Sequence, residues 1–184
     1  MKYEPKYIIK FILEYDAGIP KTIIFAVVLS MCGVVVGLHL LRDDKLALAR
    51  KTSWWFFLGY VIFVLCYTVV FRNCRATQIY FLRPLWSYTM LYYKKIAEIV
   101  LNVLMFMPIG FLYGGSKKKV RWIEVLCIGL GLSVSIEVMQ LLSRRGVCSI
   151  DDVIHNTIGC LIGYGLFRLF YMMKPWLQWK LKTT

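Results

Sequence analysis

The chain has 184 residues, of which 59% are hydrophobic and 18% are charged, and its net charge is +13. A soluble domain is usually less apolar and more charged, and no polar stretch here is long enough to bury a core of its own. The basic residues flank apolar runs without any nucleic-acid reading motif, which argues against a nucleic-acid partner and predicts contact with anionic lipid headgroups.

Residues 1–21 form the first predicted unit, an N-terminal amphipathic lead. Ile8, Ile12 and Tyr15 are spaced to share one helical face. Such a segment either lies in the membrane interface or is a frayed helical lead-in, and the sequence leaves both readings open. Residues 22–184 are then predicted to form a single transmembrane domain.

Five apolar runs follow, and each approaches the roughly 20 residues that cross a hydrocarbon core of about 30 Å. Lipid offers no partner to backbone polar groups, so spanning segments of this kind are α-helical. The predicted fold class is therefore all-α, a polytopic bundle. The predicted spans are 22–41, 54–71, 97–115, 122–142 and 153–173.

The loop at 116–121 predicts the orientation of the bundle. It is short and holds four basic residues, and short basic loops stay in the cytoplasm. They are Lys117, Lys118, Lys119 and Arg121. With five spans, the loop at 42–53 and the C-terminus share that side. The loops at 72–96 and 143–152 then face outward with the N-terminus.

Two polar stripes run along the last two spans. Glu137, Gln140 and Arg144 are spaced i, i+3, i+7 and so share one face of the fourth helix. On the fifth helix, Asp152 and Asn156 begin a stripe that continues through Gly159 and Gly163. A polar group inside a membrane is costly, so these side chains should face the bundle or a wet cavity.

The loop at 143–152 is short, so both stripes are expected to meet at one membrane face. Arg72, Arg75 and Arg83 are predicted to reach the same face. Guanidinium groups suit phosphate or carboxylate, and nearby carboxylates would hold the arginines in place or bind sugar hydroxyls. The predicted ligand-binding residues are Arg72, Arg83, Arg144, Arg145, Asp151, Asp152, Asn156, Glu137, Gln140 and Asn102.

Structural explanations compete for most of these residues. Asp151 or Asp152 could cap the fifth helix, and Glu137 could form an ion pair with Arg144. Asn102 could form an interhelical hydrogen bond. Pro108 and Gly110 are expected to weaken the third helix and free a carbonyl. Close-packing positions are predicted at Gly129, Gly131, Gly159 and Gly163.

No metal site or cofactor is predicted, because neither a zinc-type His pair nor a phosphate-cradling glycine loop occurs. A metal or proton role for His155 stays conceivable, as does a disulfide between Cys74 and Cys148. No nucleophile–base pair is evident, so enzymatic activity is left open.

Several segments, taken in order, resemble the VanZ-like family over about residues 66–170, including Arg72 at the end of the second span. They are Asn102-Val-Leu-Met-Phe-Met-Pro-Ile-Gly-Phe111, Ser135-Ile-Glu-Val-Met-Gln140, Arg144 or Arg145, and Ile150-Asp-Asp-Val-Ile-His-Asn-Thr-Ile-Gly159 with Gly163. The chain departs from the family pattern at one place. It reads Phe81-Leu-Arg-Pro-Leu-Trp86 where the family usually shows an Asn-Leu-Ile-Pro-Phe-like stretch.

The resemblance implies a multi-pass protein of a bacterial cytoplasmic membrane, linked to resistance to glycopeptides of the teicoplanin type or to maintenance of the cell envelope. Three functions follow as hypotheses. The leading one is binding of an anionic lipid-linked envelope molecule, such as a cell-wall precursor or a lipoglycopeptide, at the outer face. The second is an enzyme that acts on a phosphate-bearing lipid, with the aspartates activating water or holding Mg²⁺. The third is a non-catalytic membrane regulator or scaffold.

Overall fold

The computed structural model describes residues 21–40, 46–70, 80–88 and 93–183. Five α-helices dominate these residues, and two short strands join them at one end. In chain order the elements are α1 (Lys21–Leu40), α2 (Leu46–Leu65) with a π-helical turn (Cys66–Val70), β1 (Tyr80–Phe81), a 3₁₀ turn (Trp86–Tyr88), α3 (Tyr93–Ser116), α4 (Trp122–Ser143), β2 (Cys148–Ser149) and α5 (Ile150–Thr183).

Four of the helices are long and apolar enough to cross a membrane. These spans are Leu46–Val70, Lys95–Ser116, Trp122–Ser143 and Ile150–Gln178. Helix α1 has 20 residues, a length of about 30 Å at 1.5 Å per residue, with a shorter apolar stretch at Val28–Leu40. The predicted all-α, membrane-spanning bundle is confirmed.

The second helix begins earlier than predicted. Helix α2 starts at Leu46, whereas residues 42–53 were predicted to form a loop. Arg50 and Lys51 suggested a charged loop, but long basic side chains can lie along a helix with their charged ends in the headgroup region. Residues 1–20 of the predicted N-terminal lead lie outside the described residues.

Helices α3 and α5 make the closest backbone contact of the described bundle. A Cβ atom added to Gly110 would lie 1.8 Å from the carbonyl oxygen of Cys160, and one added to Gly163 would lie 1.8 Å from that of Met107. At Gly159 the corresponding distance to the carbonyl of Val103 is 2.2 Å. Only glycine fits at these three positions, and close backbone approach of this kind stabilises helix pairs in membranes.

The predicted close-packing role is therefore confirmed for Gly159 and Gly163. It also holds for Gly129, where an added Cβ would lie 3.1 Å from the Cβ of Cys160. The prediction is wrong for Gly131, which is exposed and has nothing within 4 Å of an added Cβ.

Helix α3 runs through Pro108 without interruption. The hydroxyl of Tyr60 on α2 donates to the carbonyl of Met105 at 3.0 Å, within the turn that the proline disturbs. The weakening expected at Pro108 and Gly110 does not interrupt α3, and Gly110 instead provides the close contact with the carbonyl of Cys160.

Candidate functional site

Polar side chains converge where α2 and α4 end and α5 begins. We call residues 66–70, 80–88 and 137–156 the polar end. Strands β1 and β2 pair in parallel, with Tyr80 opposite Cys148 and Phe81 opposite Ser149. The indole nitrogen of Trp86 donates to the Ser149 hydroxyl at 3.2 Å. The described part of the 72–96 loop thus lies against the 143–152 loop, as predicted.

Asp151 anchors the turn that precedes α3. Its side chain is 1% exposed, and its two carboxylate oxygens accept the backbone N–H groups of Leu85 at 2.6 Å and Ser87 at 2.8 Å. Leu85 has a φ of 62°, a left-handed conformation that a branched residue adopts at a cost. Asp151 therefore holds a strained loop in place, rather than capping its own helix.

Glu137 joins α4 to the start of α5. The side chain is 5% exposed, and its Oε2 accepts the N–H of Ser149 at 2.8 Å. The alternative ion pair with Arg144 does not form, because Arg144 adopts the left-handed conformation that ends α4 and its side chain is exposed. Arg144 therefore leaves the stripe that Glu137 and Gln140 follow.

Gln140 and Asn156 are each 3% exposed and link three helices. The amide nitrogen of Gln140 donates to the carbonyl of Thr68 at 3.0 Å, and that of Asn156 donates to the hydroxyl of Ser133 at 2.8 Å. The amide oxygens Oε1 and Oδ1 have no hydrogen-bond partner within the described chain. A buried acceptor without a donor costs about 1–3 kcal/mol, so a hydroxyl or N–H donor brought to either atom would relieve that cost.

The arginines of the polar end differ in their contacts. Arg145 donates from its guanidinium to the carbonyl of Val70 in the π-helical turn, and its backbone N–H donates to the carbonyl of Gln140 at 3.0 Å. Arg83 and Arg144 are exposed. Arg72 and Arg75 lie outside the described residues, so their predicted place at this end stays a prediction.

Asp152 and Asn102 are the two remaining predicted residues in the described chain, and they lie on α5 and α3. Asp152 is half-buried in the first turn of α5. Burial raises the pKa of the Cys148 thiol, and the charges of Glu137 and Asp152 raise it further.

Asn102 is half-buried on α3. Its side chain makes no hydrogen bond to the described residues, so the interhelical hydrogen bond considered for it is not observed there.

Cys148 is a free thiol, and its considered partner Cys74 lies outside the described residues. In the described part, no group of three or more His, Cys, Asp or Glu side chains is arranged to hold a metal ion. Both oxygens of Asp151 are already engaged by backbone N–H groups.

Two contacts of this end were not predicted from the sequence. The hydroxyl of Tyr88 lies 2.8 Å from Nε2 of His155, and Nδ1 of His155 is buried without a partner in the described chain. The ammonium group of Lys95 lies 4.4 Å from the ring centroid of Trp86. His155 follows Asp151 by four residues, so the two side chains share a face of α5. This spacing was the signal in the sequence that could have indicated the contact between Tyr88 and His155.

The opposite end of the bundle is basic. Lys118 and Lys119 are exposed there, and the ammonium group of Lys117 donates to the hydroxyl of Tyr113 at 2.6 Å. This hydrogen bond is the main cause that raises the pKa of Lys117. The two ends of the bundle thus differ, with buried amides and carboxylates at one and a lysine loop at the other.

These features define a polytopic helical membrane protein with a buried polar end built by α2, α4, α5 and the 80–88 segment. The sequence model of the VanZ/LLP1 family matches residues 57–171, and the chain belongs to this family. It is also similar to Protein VanZ of Enterococcus faecium, with 33% identity over 72 residues. That match covers 39% of this chain and 45% of the relative, so it spans less than half of the relative's length. No solved structure matches the chain significantly.

Proposed function

We propose that this protein supports the tolerance of a bacterial cell envelope to teicoplanin-type glycopeptides by binding an anionic, lipid-linked envelope molecule at the polar end. The family membership and the similarity to Protein VanZ support the setting. The binding site rests on one observation, that the buried amide oxygens of Gln140 and Asn156 have no donor within the described chain, at the end of the bundle where Arg83 and Arg144 are exposed.

The arrangement suits a headgroup that carries both phosphate and hydroxyl or amide groups. Arg144 follows Gln140 by four residues, and the backbone of Arg145 is hydrogen-bonded to the carbonyl of Gln140. Guanidinium groups bind phosphate in a forked geometry. The free oxygens of Gln140 and Asn156 would accept hydrogen bonds from sugar hydroxyls or amides. A phosphate-linked sugar offers both kinds of group in one molecule.

Arg144→Ala is expected to weaken binding of undecaprenyl phosphate by about tenfold, because a hydrogen bond to a charged group contributes about 1.5–3 kcal/mol. Titration of the lipid into detergent-solubilised protein, followed by native mass spectrometry, measures the affinity. The melting temperature should change little, since Arg144 is exposed.

Lys118→Ala is the matched control, because it removes one exposed positive charge from the opposite end. Its affinity for undecaprenyl phosphate should equal that of the unmodified protein. Equal losses in the two variants, or no loss in Arg144→Ala, would contradict the proposed site. In a susceptible Gram-positive host, Arg144→Ala should also lower any teicoplanin tolerance that the intact protein confers.

The proposal places the polar end outside a bacterial cytoplasmic membrane, and cysteine labelling measures this orientation. Cysteine is introduced at Arg144 or Lys118 after the natural cysteines are replaced by alanine. A membrane-impermeant maleimide applied to intact cells should label position 144, whereas position 118 should react only after lysis. The reverse pattern would overturn the orientation.

A further inference from the structure

The 80–88 segment exposes apolar side chains although it lies outside the spanning helices. It reads Tyr80-Phe-Leu-Arg-Pro-Leu-Trp-Ser-Tyr88, and Arg83 is its only charged residue. Tyr80, Leu82 and Leu85 are 62%, 64% and 58% exposed. A run of exposed apolar residues such as 80–82 is unfavourable in water unless it serves a function. The segment therefore suits an apolar or interfacial medium better than bulk water.

Internal contacts hold the segment in one conformation. The rings of Phe81 and Trp86 stack with their centroids 4.0 Å apart, and the backbone N–H of Tyr88 donates to the carbonyl of Leu85 at 3.1 Å. Asp151 binds two further backbone N–H groups of the same turn. The exposed side chains are therefore presented by a fixed turn, and their exposure is a property of its surface.

Contacts with two helices define the depth of the segment in the membrane. Trp86 donates to Ser149, which directly precedes the span that begins at Ile150. The Trp86 ring also lies 4.4 Å from the ammonium group of Lys95, the first residue of the span Lys95–Ser116. This span has 22 residues, a length of about 33 Å, which is close to the roughly 30 Å of the hydrocarbon core. The segment beside Lys95 therefore lies at the boundary between acyl chains and headgroups.

The residue types of the segment suit this boundary. Trp and Tyr are enriched at membrane interfaces, because each ring has an apolar body and a polar tip. Arg83 is exposed in the same segment, and a guanidinium group pairs with phosphate, which every phospholipid headgroup carries. Apolar side chains with one arginine thus match the layer in which phosphate lies above hydrocarbon. A partner protein could bind at any height, whereas a bilayer requires this one.

We propose that the 80–88 segment is an interfacial anchor, whose exposed aromatic and leucine side chains enter the bilayer at the headgroup boundary while Arg83 binds lipid phosphate. Its contacts with Ser149 and Asp151 then hold the polar end at the membrane surface. The partner is the phospholipid bilayer itself. The inference therefore goes beyond the proposed function and does not depend on it.

Fluorescence quenching measures the depth of the segment. Leu82→Cys is made after the natural cysteines are replaced by alanine, labelled with an environment-sensitive fluorophore, and reconstituted in nanodiscs of phosphatidylcholine and phosphatidylglycerol. The emission should be shifted to the blue of that in water. Lipids brominated near the glycerol end of the acyl chain should quench it more than lipids brominated near the methyl end. Tyr80→Cys is the second reporter if Leu82→Cys does not fold.

Two other labelled positions calibrate the measurement. Lys118→Cys lies in the exposed lysine loop, so its label should emit as in water and be quenched little. Ile62→Cys is exposed on α2 within a span, so its label should be quenched more by bromine near the methyl end. Emission and quenching like those of Lys118→Cys at both Leu82 and Tyr80 would overturn the anchor. A blue shift without quenching, in nanodiscs that hold one protein copy, would show that protein covers the segment and would also overturn it.

Arg83→Gln tests the phosphate contact. A larger share of phosphatidylglycerol should increase the quenching at Leu82, because an anionic surface attracts the guanidinium group, and Arg83→Gln should abolish this increase. Lys118→Gln, which removes a positive charge at the opposite end, should retain it. An increase that persists in Arg83→Gln would reject the role of Arg83.

The anchor and the proposed function fail separately. If Arg144→Ala weakens the binding of undecaprenyl phosphate while the label at Leu82 stays in water, the proposed function stands and the anchor is rejected. If the label at Leu82 is quenched by lipid while Arg144→Ala binds normally, the anchor stands and the proposed binding site is rejected.

Discussion

Gly163→Ala is expected to destabilise the protein more than any other single methyl addition on α5. The new Cβ would lie 1.8 Å from the carbonyl oxygen of Met107, so the backbones of α3 and α5 would have to separate. Overpacking of a well-packed interior typically costs 1–3 kcal/mol and occasionally more, and a backbone carbonyl cannot rotate away. A loss of about 3 kcal/mol is expected, read as a lower melting temperature in detergent.

Gly165→Ala provides the comparison on the same helix. Gly165 is exposed and has nothing within 4 Å of an added Cβ, so alanine there should be neutral or slightly stabilising through its helix propensity. A melting temperature for Gly163→Ala that matches that of Gly165→Ala would mean that α3 and α5 do not approach as closely as described.

Asp151→Asn is the second substitution with a large expected effect. The buried carboxylate accepts two backbone N–H groups, and an amide would turn an N–H donor toward one of them. Hydrogen bonds to charged groups contribute about 1.5–3 kcal/mol each, and an unsatisfied buried donor adds a further cost. We expect a stability loss of about 3 kcal/mol and release of the 80–88 turn.

Hydrogen exchange measures the release directly, since the amides of Leu85 and Ser87 should lose protection in Asp151→Asn. Asp152→Asn removes the same charge one position along the chain, at a half-buried side chain, and should leave the protection of both amides in place. Unchanged protection in Asp151→Asn would show that the carboxylate does not hold this turn.

Much of the fold follows from apolar runs alone, because only helices satisfy the backbone in lipid. Helix ends were harder to predict, as at Leu46, since basic residues occur both in loops and on the ends of spans. Gly159 and Gly163 were recognised from their spacing of four. Gly110 was expected to weaken its own helix instead, because spacing within one helix does not reveal which neighbouring helix a residue faces.

The site could be predicted only where it follows helical periodicity. Glu137, Gln140 and Asn156 are buried on the inner faces that their spacing indicated. Adjacent residues on a helix point about 100° apart, and the spacing alone did not reveal that Asp151 binds the backbone of the 80–88 turn. Its partners at Leu85 and Ser87 are set by tertiary contacts that no local spacing encodes.

The glycine contact between α3 and α5 also determines which parts of the bundle can move. Backbones that touch through three glycines cannot slide or tilt without colliding, so these two helices behave as one rigid body. The 80–88 turn is tied to the same body through Asp151. The end of α4 is joined to the π-helical turn after α2 by Gln140 and Arg145, whose side chains donate to carbonyls of that turn. An outward swing of α2 away from α4 would therefore require these two hydrogen bonds to break.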